Sequence, residues 1–393
     1  MKYNFDEVID RSHTDCVKYE IIRKTLQRDD LLPLWVADMD FLTPPFVLDA
    51  IRKRLDQAIL GYTCAPTTYY ESICNWVDHR YGMKVKGEAI HYIPGIVPGI
   101  SFTINAFTEK GDRIMIQPPV YHPFRHVIEA CERVCEVNPL KEVNGNYEMD
   151  FDTLEQTLPG CKLFILCHPH NPGGVVWKRG DLERLATLCE KNGVTVISDE
   201  IHADMTFSPH IHTPFAMINE TAKRITITFM APSKAFNLPG VVASHVIIFN
   251  DQVRNYFFKY LDDNDLAMGN IFAFDCVQAC YSDDGTEWLN EMLSYVGKNI
   301  TFLVDFLKTN CPKIKAICPK ASFLVFLDNR ELPLTSQKEL VNFYINEAHL
   351  FLNDGSIFGE QGNGFMRLNV ATPRTVLEKA LSQLKAAYDK AGY

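Results

Sequence analysis

Short runs rich in β-branched and aromatic residues alternate along this chain with longer amphipathic stretches, a pattern that leaves few folds open. Arg113–Gln117, Lys162–Cys167, Val194–Ser198, Ile225–Phe229 and Val242–Phe249 read as strands, because such residues suit a pleated, buried surface. Between two of them, Gly180–Lys191 reads as a helix with Leu182, Leu185 and Leu188 on one face, ended by Asn192-Gly193. Strand, helix and strand in series predict an α/β fold: a mainly parallel, doubly wound sheet covered on both faces.

From about Asp284 the pattern changes. A long helix over Trp288–Lys308 is expected, then a strand at Phe323–Leu327, a helix at Gln337–Ala348, a Gly-rich stretch at Gly355–Gly364, a strand at Met366–Val370 and a last helix at Thr375–Ala391. This predicts a smaller α+β unit after the doubly wound one. A chain of 393 residues exceeds what one core usually organises. The expected division is a large domain over 46–284, with 1–45 and 285–393 forming the small one.

Charge and composition remove several functions. The net charge is −10, and no block of Lys or Arg offers the basic stripe that nucleic-acid binding uses, so no nucleic acid is expected. Lys2, Asp6, Glu7 and Asp10 break the layout of a secretory leader. No apolar run approaches the roughly 18 residues of a membrane span, so no membrane is expected either. The 12 cysteines are scattered without regular spacing, which suits reduced thiols and a cytoplasmic protein better than a disulfide framework.

Motifs narrow the field further. G-x-G-x-x-G after a strand, G-x-x-x-x-G-K-[ST] and G-x-S-x-G are all absent. The pairs His168/His170, His210/His212, Cys131/Cys135 and Cys276/Cys280 lack the spacing of zinc sites, so no metal is expected. The sequons at Asn219 and Asn299 carry little weight in a chain expected to stay in the cell.

Four separated segments remain. Cys167–Gly174 reads C-H-P-H-N-P-G-G, a turn-rich stretch at a strand's end, and Val194–His202 delivers Asp199 to the same sheet edge. Ile225–Asn237 ends in a loop presenting Ser233-Lys234, and Phe365–Ala371 puts Arg367 in an apolar strand. Taken singly, an acid at a strand end is usually a cap, a loop Lys is usually surface, and a strand Arg is usually an ion-pair partner. Their order and spacing together make the combination specific.

N-P-x-G, D-E-x-H, S-K-x-F-N and R-x-N, in that order, resemble the class I/II aminotransferase superfamily, the fold-type I pyridoxal-phosphate enzymes, over nearly the whole chain. The resemblance implies pyridoxal 5′-phosphate as cofactor, bound to Lys234 as an imine in the large domain. Its chemistry needs a carboxylate that keeps the ring nitrogen protonated, for which Asp199 fits, and an amine of depressed pKa that shuttles a proton, for which Lys234 fits. By the same resemblance Asn171 and His202 lie near the ring's phenolic oxygen, His202 standing where aspartate-type relatives have Tyr, and Tyr121 stacks on the ring. Gly95, Ile96 and Val97 offer helix N-terminal amides to the phosphate, with Ser233 beside them. Tyr62 matches a Tyr that reaches the phosphate from a neighbouring subunit, implying a homodimer. Arg367, with Asn171, grips the substrate's α-carboxylate. Val242 and Ala231 stand where the superfamily often has Arg and Ser, so a different phosphate cup is expected.

The choice of reaction rests on Leu34–Phe41, L-W-V-A-D-M-D-F, followed by Thr43-Pro44-Pro45. This segment, with G-I-V-P-G, D-E-I-H-x-D and A-P-S-K-A-F-N, is similar to the MalY/PatB branch of cystathionine β-lyases or C–S lyases. The resemblance implies α,β-elimination from L-cystathionine or L-cysteine-type substrates, giving pyruvate, ammonia and a thiol or sulfide, with Lys234 or Tyr121 protonating the departing sulfur. The alternatives are an aminotransferase with a 2-oxo acid acceptor and an added regulatory role through a protein partner.

Overall fold

The five strands expected in the larger unit pair, together with two that were not expected, into one seven-stranded sheet in the structure, a computed structural model that describes residues 2–143 and 145–393. Its strands are β1 (Ile90–Ile93), β2 (Arg113–Ile116), β3 (Val134–Val137), β4 (Cys161–Cys167), β5 (Thr195–Asp199), β6 (Thr226–Met230) and β7 (Ser244–Ile247). They lie in the order β1-β7-β6-β5-β4-β2-β3. All pairings are parallel except those of β7, which runs antiparallel to both β1 and β6.

The central strands are buried on both faces, which is why they read as continuous rather than alternating apolar runs. Successive residues serve opposite sides. Phe164, Leu166 and Val196 join one core with Leu182 and Leu185 of helix Arg179–Lys191. Leu163, Ile165 and Ile197 join the other core with Ile96, Ile100 and Ile104 of helix α1 (Ile96–Phe107). Each such side chain contributes about 1.5–3 kcal/mol by leaving water.

The smaller unit carries an antiparallel sheet of β8 (Lys315–Ile317), β9 (Leu324–Asp328), β10 (Asn353–Asp354) and β11 (Phe365–Asn369), in the order β8-β9-β11-β10. Helices Asp283–Asn310 and Arg374–Lys390 share its core through Leu303, Leu307, Leu377 and Leu381. The first of them starts under a Ser282 cap, so the expected division at 284/285 falls within its first turn. Leu32–Pro33 pairs with Leu350–Phe351 and ties the N-terminal segment to this unit.

Two expected elements differ. The strand expected from Val242 begins only at Ser244, because Val242 closes a 3-10 turn with φ 59°. The helix expected over Gln337–Ala348 is α-helical to Asn342 and then widens into a π turn, Phe343–Glu347.

Candidate active site

Parallel register aligns the ends of three strands. Cys167 lies opposite Asp199, and Asp199 opposite Phe229, so the loops that follow β4, β5 and β6 emerge at one edge, where open α/β sheets bind ligands. Between them lies a cavity of about 230 Å³ bordered by Tyr121, Asn171, Asp199, His202 and Lys234, with Gly95, Ile96, Val97 and Ser233 at its rim.

Lys234 sits in a tight turn after β6, closed by Phe236 N to Pro232 O at 2.9 Å and Leu238 N to Ser233 O at 3.0 Å. Its Nζ donates to the Ala37 carbonyl at 2.6 Å. Burial, then the Arg367 charge, pushes its pKa down to about 8, against the pull of Asp38 and Asp199. Asp199 shows the opposite effect: burial pushes its pKa up to about 7, although Ile201 N donates to its Oδ1 at 3.1 Å. An amine and an acid that both resist charging therefore face one cavity.

Arg367 is buried in β11. Its Nη1 donates to Asn171 Oδ1 at 3.0 Å, and its Nη2 donates to Asn353 Oδ1 at 2.8 Å and Trp35 O at 3.2 Å. The guanidinium lies 4.9 Å from the centre of the Phe358 ring, and burial lowers its pKa to about 10. Its Nε is buried without a partner among the described residues, which leaves a donor for a carboxylate. His202 is buried, its Nδ1 also lacks a partner there, and burial holds its pKa near 3, so the ring is neutral. Burial, followed by the Asp199 charge, raises the Tyr121 pKa.

Gly95 precedes α1 with φ 151°, and a Cβ there would come within 3.3 Å of Pro98 Cδ. This backbone suits glycine and opens the first turn of α1, whose amides at Ile96 and Val97 have no acceptor within the helix. Val242 lines the cavity where the resemblance suggested an arginine, and Lys234 is the one Lys or Arg among the described lining residues. The phosphate cup this chain can offer is one of amides and hydroxyls. Tyr62 is 96% exposed and does not line the cavity of its own chain.

The reading of the sequence missed what holds the Leu34–Phe41 segment in place. Asn369 Nδ2 donates to Val36 O at 2.7 Å and Asp38 O at 2.6 Å, and Asn237 Nδ2 donates to Met39 O at 3.0 Å and Phe41 O at 2.7 Å. Lys18, buried, reaches Asp40 at 2.6 Å, and Arg11 reaches Asp38 at 2.5 Å. The signal was present: Asn237 and Asn369 close the S-K-x-F-N and R-x-N motifs.

The donor set fits pyridoxal phosphate: an enclosed amine, a buried acid without a cationic partner, an unpaired imidazole nitrogen, and helix amides behind a glycine. These features define the class as a pyridoxal-phosphate enzyme acting on amino acids. The family model for aminotransferase class I and II matches residues 29–384. The chain is 42% identical over 386 residues to the cystathionine β-lyase PatB of Bacillus subtilis strain 168, covering 98% of this chain and 99% of that one. It is 31% identical to protein MalY of Escherichia coli K12, covering 97% and 98%. The PLP-bound C–S lyase of Staphylococcus hominis superposes with a TM-score of 0.91 at 34% identity over the full length of both chains. The protein belongs to the class I and II aminotransferase family of fold-type I pyridoxal-phosphate enzymes, in its MalY/PatB branch.

Among the described residues no group of three or more His, Cys, Asp or Glu is arranged to hold a metal ion, and no helix is long and apolar enough to cross a membrane. The cysteines are all free.

Proposed function

We propose that this protein is a pyridoxal-phosphate-dependent C–S β-lyase that eliminates a thiol from L-cystathionine or a related L-cysteine thioether, leaving pyruvate and ammonia. The observation that carries this reading is the near full-length 42% identity to a cystathionine β-lyase, in a chain whose cavity holds the amine and acid such chemistry needs.

When bound, pyridoxal phosphate supplies an electron sink that acidifies the substrate's α-carbon. The rest falls to the protein. Asp199 keeps a proton on the ring nitrogen, a role suited to a carboxylate screened from water. Arg367 and Asn171 fix the α-carboxylate, and with it the direction of the Cα–H bond. Lys234 Nζ anchors the cofactor and, once displaced by the substrate's amine, accepts the α-proton; a pKa of about 8 suits both halves of that transfer near neutral pH. Lys234 or the Tyr121 hydroxyl then protonates the departing sulfur. Ser233 and the Gly95–Val97 amides hold the phosphate.

The cup's lack of an arginine supports a contribution from a second copy of the chain. The segment carrying Ile59, Leu60 and Tyr62, exposed by 78%, 65% and 96%, is suited to lie against it. The protein would then work as a cytoplasmic homodimer with the large domain over 46–284.

The test is turnover without an acceptor. Purified enzyme given L-cystathionine and no 2-oxo acid goes on releasing pyruvate. Formation of no more than one equivalent per active site overturns the lyase reading in favour of an aminotransferase.

A further inference from the structure

The main chain from Leu34 to Asp38 gives its carbonyls alternately to two kinds of partner. Leu34 O accepts from Asn369 N at 2.9 Å, and Val36 O and Asp38 O accept from Asn369 Nδ2 at 2.7 and 2.6 Å. The two carbonyls between them are taken by charged side chains, Trp35 O by Arg367 Nη2 at 3.2 Å and Ala37 O by Lys234 Nζ at 2.6 Å. One asparagine, the last residue of β11, thus holds every other carbonyl of a strap whose remaining two meet the amine and the guanidinium. Asn369 is buried and does not line the cavity, whereas Ala37 does.

The strap is also fixed from its outer side. Trp35 Nε1 donates to Lys18 O at 3.0 Å, and Arg11 Nη1 donates to Met39 O at 3.2 Å while its Nη2 pairs with Asp38. A buried carbonyl left without a donor is costly, so Ala37 O draws the Lys234 amine whenever that amine is free. A neutral amine has two N–H bonds and one lone pair. With one N–H given to Ala37 O, rotation about the Cε–Nζ bond is restricted and the lone pair takes a set direction, the condition for accepting a proton from a carbon held beside it.

We propose that Asn369 is a positioning residue for proton transfer: by fixing Val36 and Asp38 it aims the Ala37 carbonyl at Lys234, which sets the place and direction of the amine whenever it is free of the cofactor. This rests on the proton-carrier role of Lys234 proposed above, and adds to it a residue that acts only through the strap. Arg367 depends on the strap less, because it keeps Asn171 and Asn353 as acceptors. Loosening the strap therefore disturbs the amine more than the carboxylate clamp.

Asn299 supplies a matched control. It too is buried and donates Nδ2 to two carbonyls, Val370 O at 3.0 Å and Thr372 O at 2.9 Å, while its Oδ1 accepts from Arg374 Nε at 2.9 Å. Neither of those carbonyls accepts from Lys234 or Arg367. Two rates are measured for wild type, Asn369→Ala and Asn299→Ala. In the holoenzyme, α-deuterated L-alanine loses its label to water, a reaction that needs neither leaving group nor acceptor and so is common to a lyase and an aminotransferase. In the cofactor-free protein, capture of pyridoxal phosphate by Lys234 is followed by absorbance. Both variants lower the urea midpoint by similar amounts. Asn369→Ala alone slows label loss at saturation, by about tenfold to a hundredfold, with half-saturation moved by less than about threefold, and slows capture by about threefold or more. Either rate no slower in Asn369→Ala than in Asn299→Ala overturns the positioning role and leaves Lys234 as proton carrier. No label loss in wild type, with L-alanine bound as judged by cofactor absorbance, overturns the carrier role and the positioning role with it. If an asparagine variant does not fold, Arg11→Met decides: its side chain is 24% exposed and holds the same strap from outside, and label loss at the wild-type rate there overturns the proposal.

Discussion

Asp199 and Glu200 are consecutive, acidic and buried, yet their surroundings are opposite in kind. Asp199, at the end of β5, accepts a backbone hydrogen bond from Ile201 and faces the cavity. Glu200 turns away from it into a closed network: Ser198 Oγ and Phe215 N donate to Oε1 at 2.8 and 3.0 Å, and His212 Nε2 donates to Oε2 at 2.7 Å. Burial raises the pKa of both acids. Burial alone therefore does not mark a functional group. What separates the two is hydrogen-bonding capacity left unfilled by the protein, which is costly in a scaffold and useful only where a ligand will complete it.

If that distinction holds, substitutions on the cavity side should remove activity and spare the fold, while those on the network side should do the reverse. Lys234→Ala gives the largest effect. With Lys234 in its proposed roles of covalent anchor and proton carrier, pyruvate formation falls by more than about 10⁴-fold, while the visible absorbance of bound cofactor changes and far-UV circular dichroism does not. Retention of a hundredth of the wild-type rate would break the assignment. Asp199→Asn follows, with kcat/KM lower by about 10²–10⁴-fold. The amide still accepts from Ile201 but cannot serve the proposed role of keeping a proton on the ring nitrogen, and a loss under tenfold would place Asp199 with the scaffold.

Legibility in the sequence follows the same divide. The central strands were readable because burial on both faces makes continuous apolar runs, and the meeting of Lys234, Asp199 and Asn171 at one cavity was readable because the proposed chemistry requires those residue types in ordered motifs. Edge elements were not: β3, Val134–Val137, is partly exposed and its sequence has no contrast with neighbouring loops. Nor were contacts made by main chain. The Ala37 carbonyl that accepts from Lys234 has no side-chain signature, and only the structure connects positions 197 residues apart. Val242 was legible as a departure from the family's arginine, but its left-handed backbone, which shortens the next strand, was not, because β-branched residues rarely adopt it.

The comparison sharpens in the cofactor-free protein. Asp199 has a folded pKa near 7 against a reference of 3.8. The folded state therefore holds its proton more tightly, and the stability this gives is complete below about pH 4 and lost as pH rises through 7. Asp199→Asn removes that loss. The variant should be more stable than wild type at pH 8, on the order of 3 kcal/mol, and the gap should close by pH 4. Thermal melts at the two pH values read it directly; a gap of equal size at both would mean that the carboxylate is already compensated in the fold.

Glu200→Gln tests the scaffold side and has the smallest effect. The amide oxygen can still accept from Ser198 and Phe215, but its NH₂ then faces His212 Nε2, which must become an acceptor and move its proton to Nδ1. That nitrogen has no partner among the described residues, and burial holds the His212 pKa near 3, so the ring does not charge instead. The hydrogen bond is thus kept with its direction reversed, and the new cost is an unsatisfied donor at Nδ1, about 1–2 kcal/mol. This should appear as a lower urea midpoint with an unchanged slope, while kcat/KM stays within about threefold of wild type. A hundredfold loss of activity at unchanged stability would show that the network behind Asp199 tunes the site, and that two adjacent acids divide the labour less cleanly than their hydrogen bonds suggest.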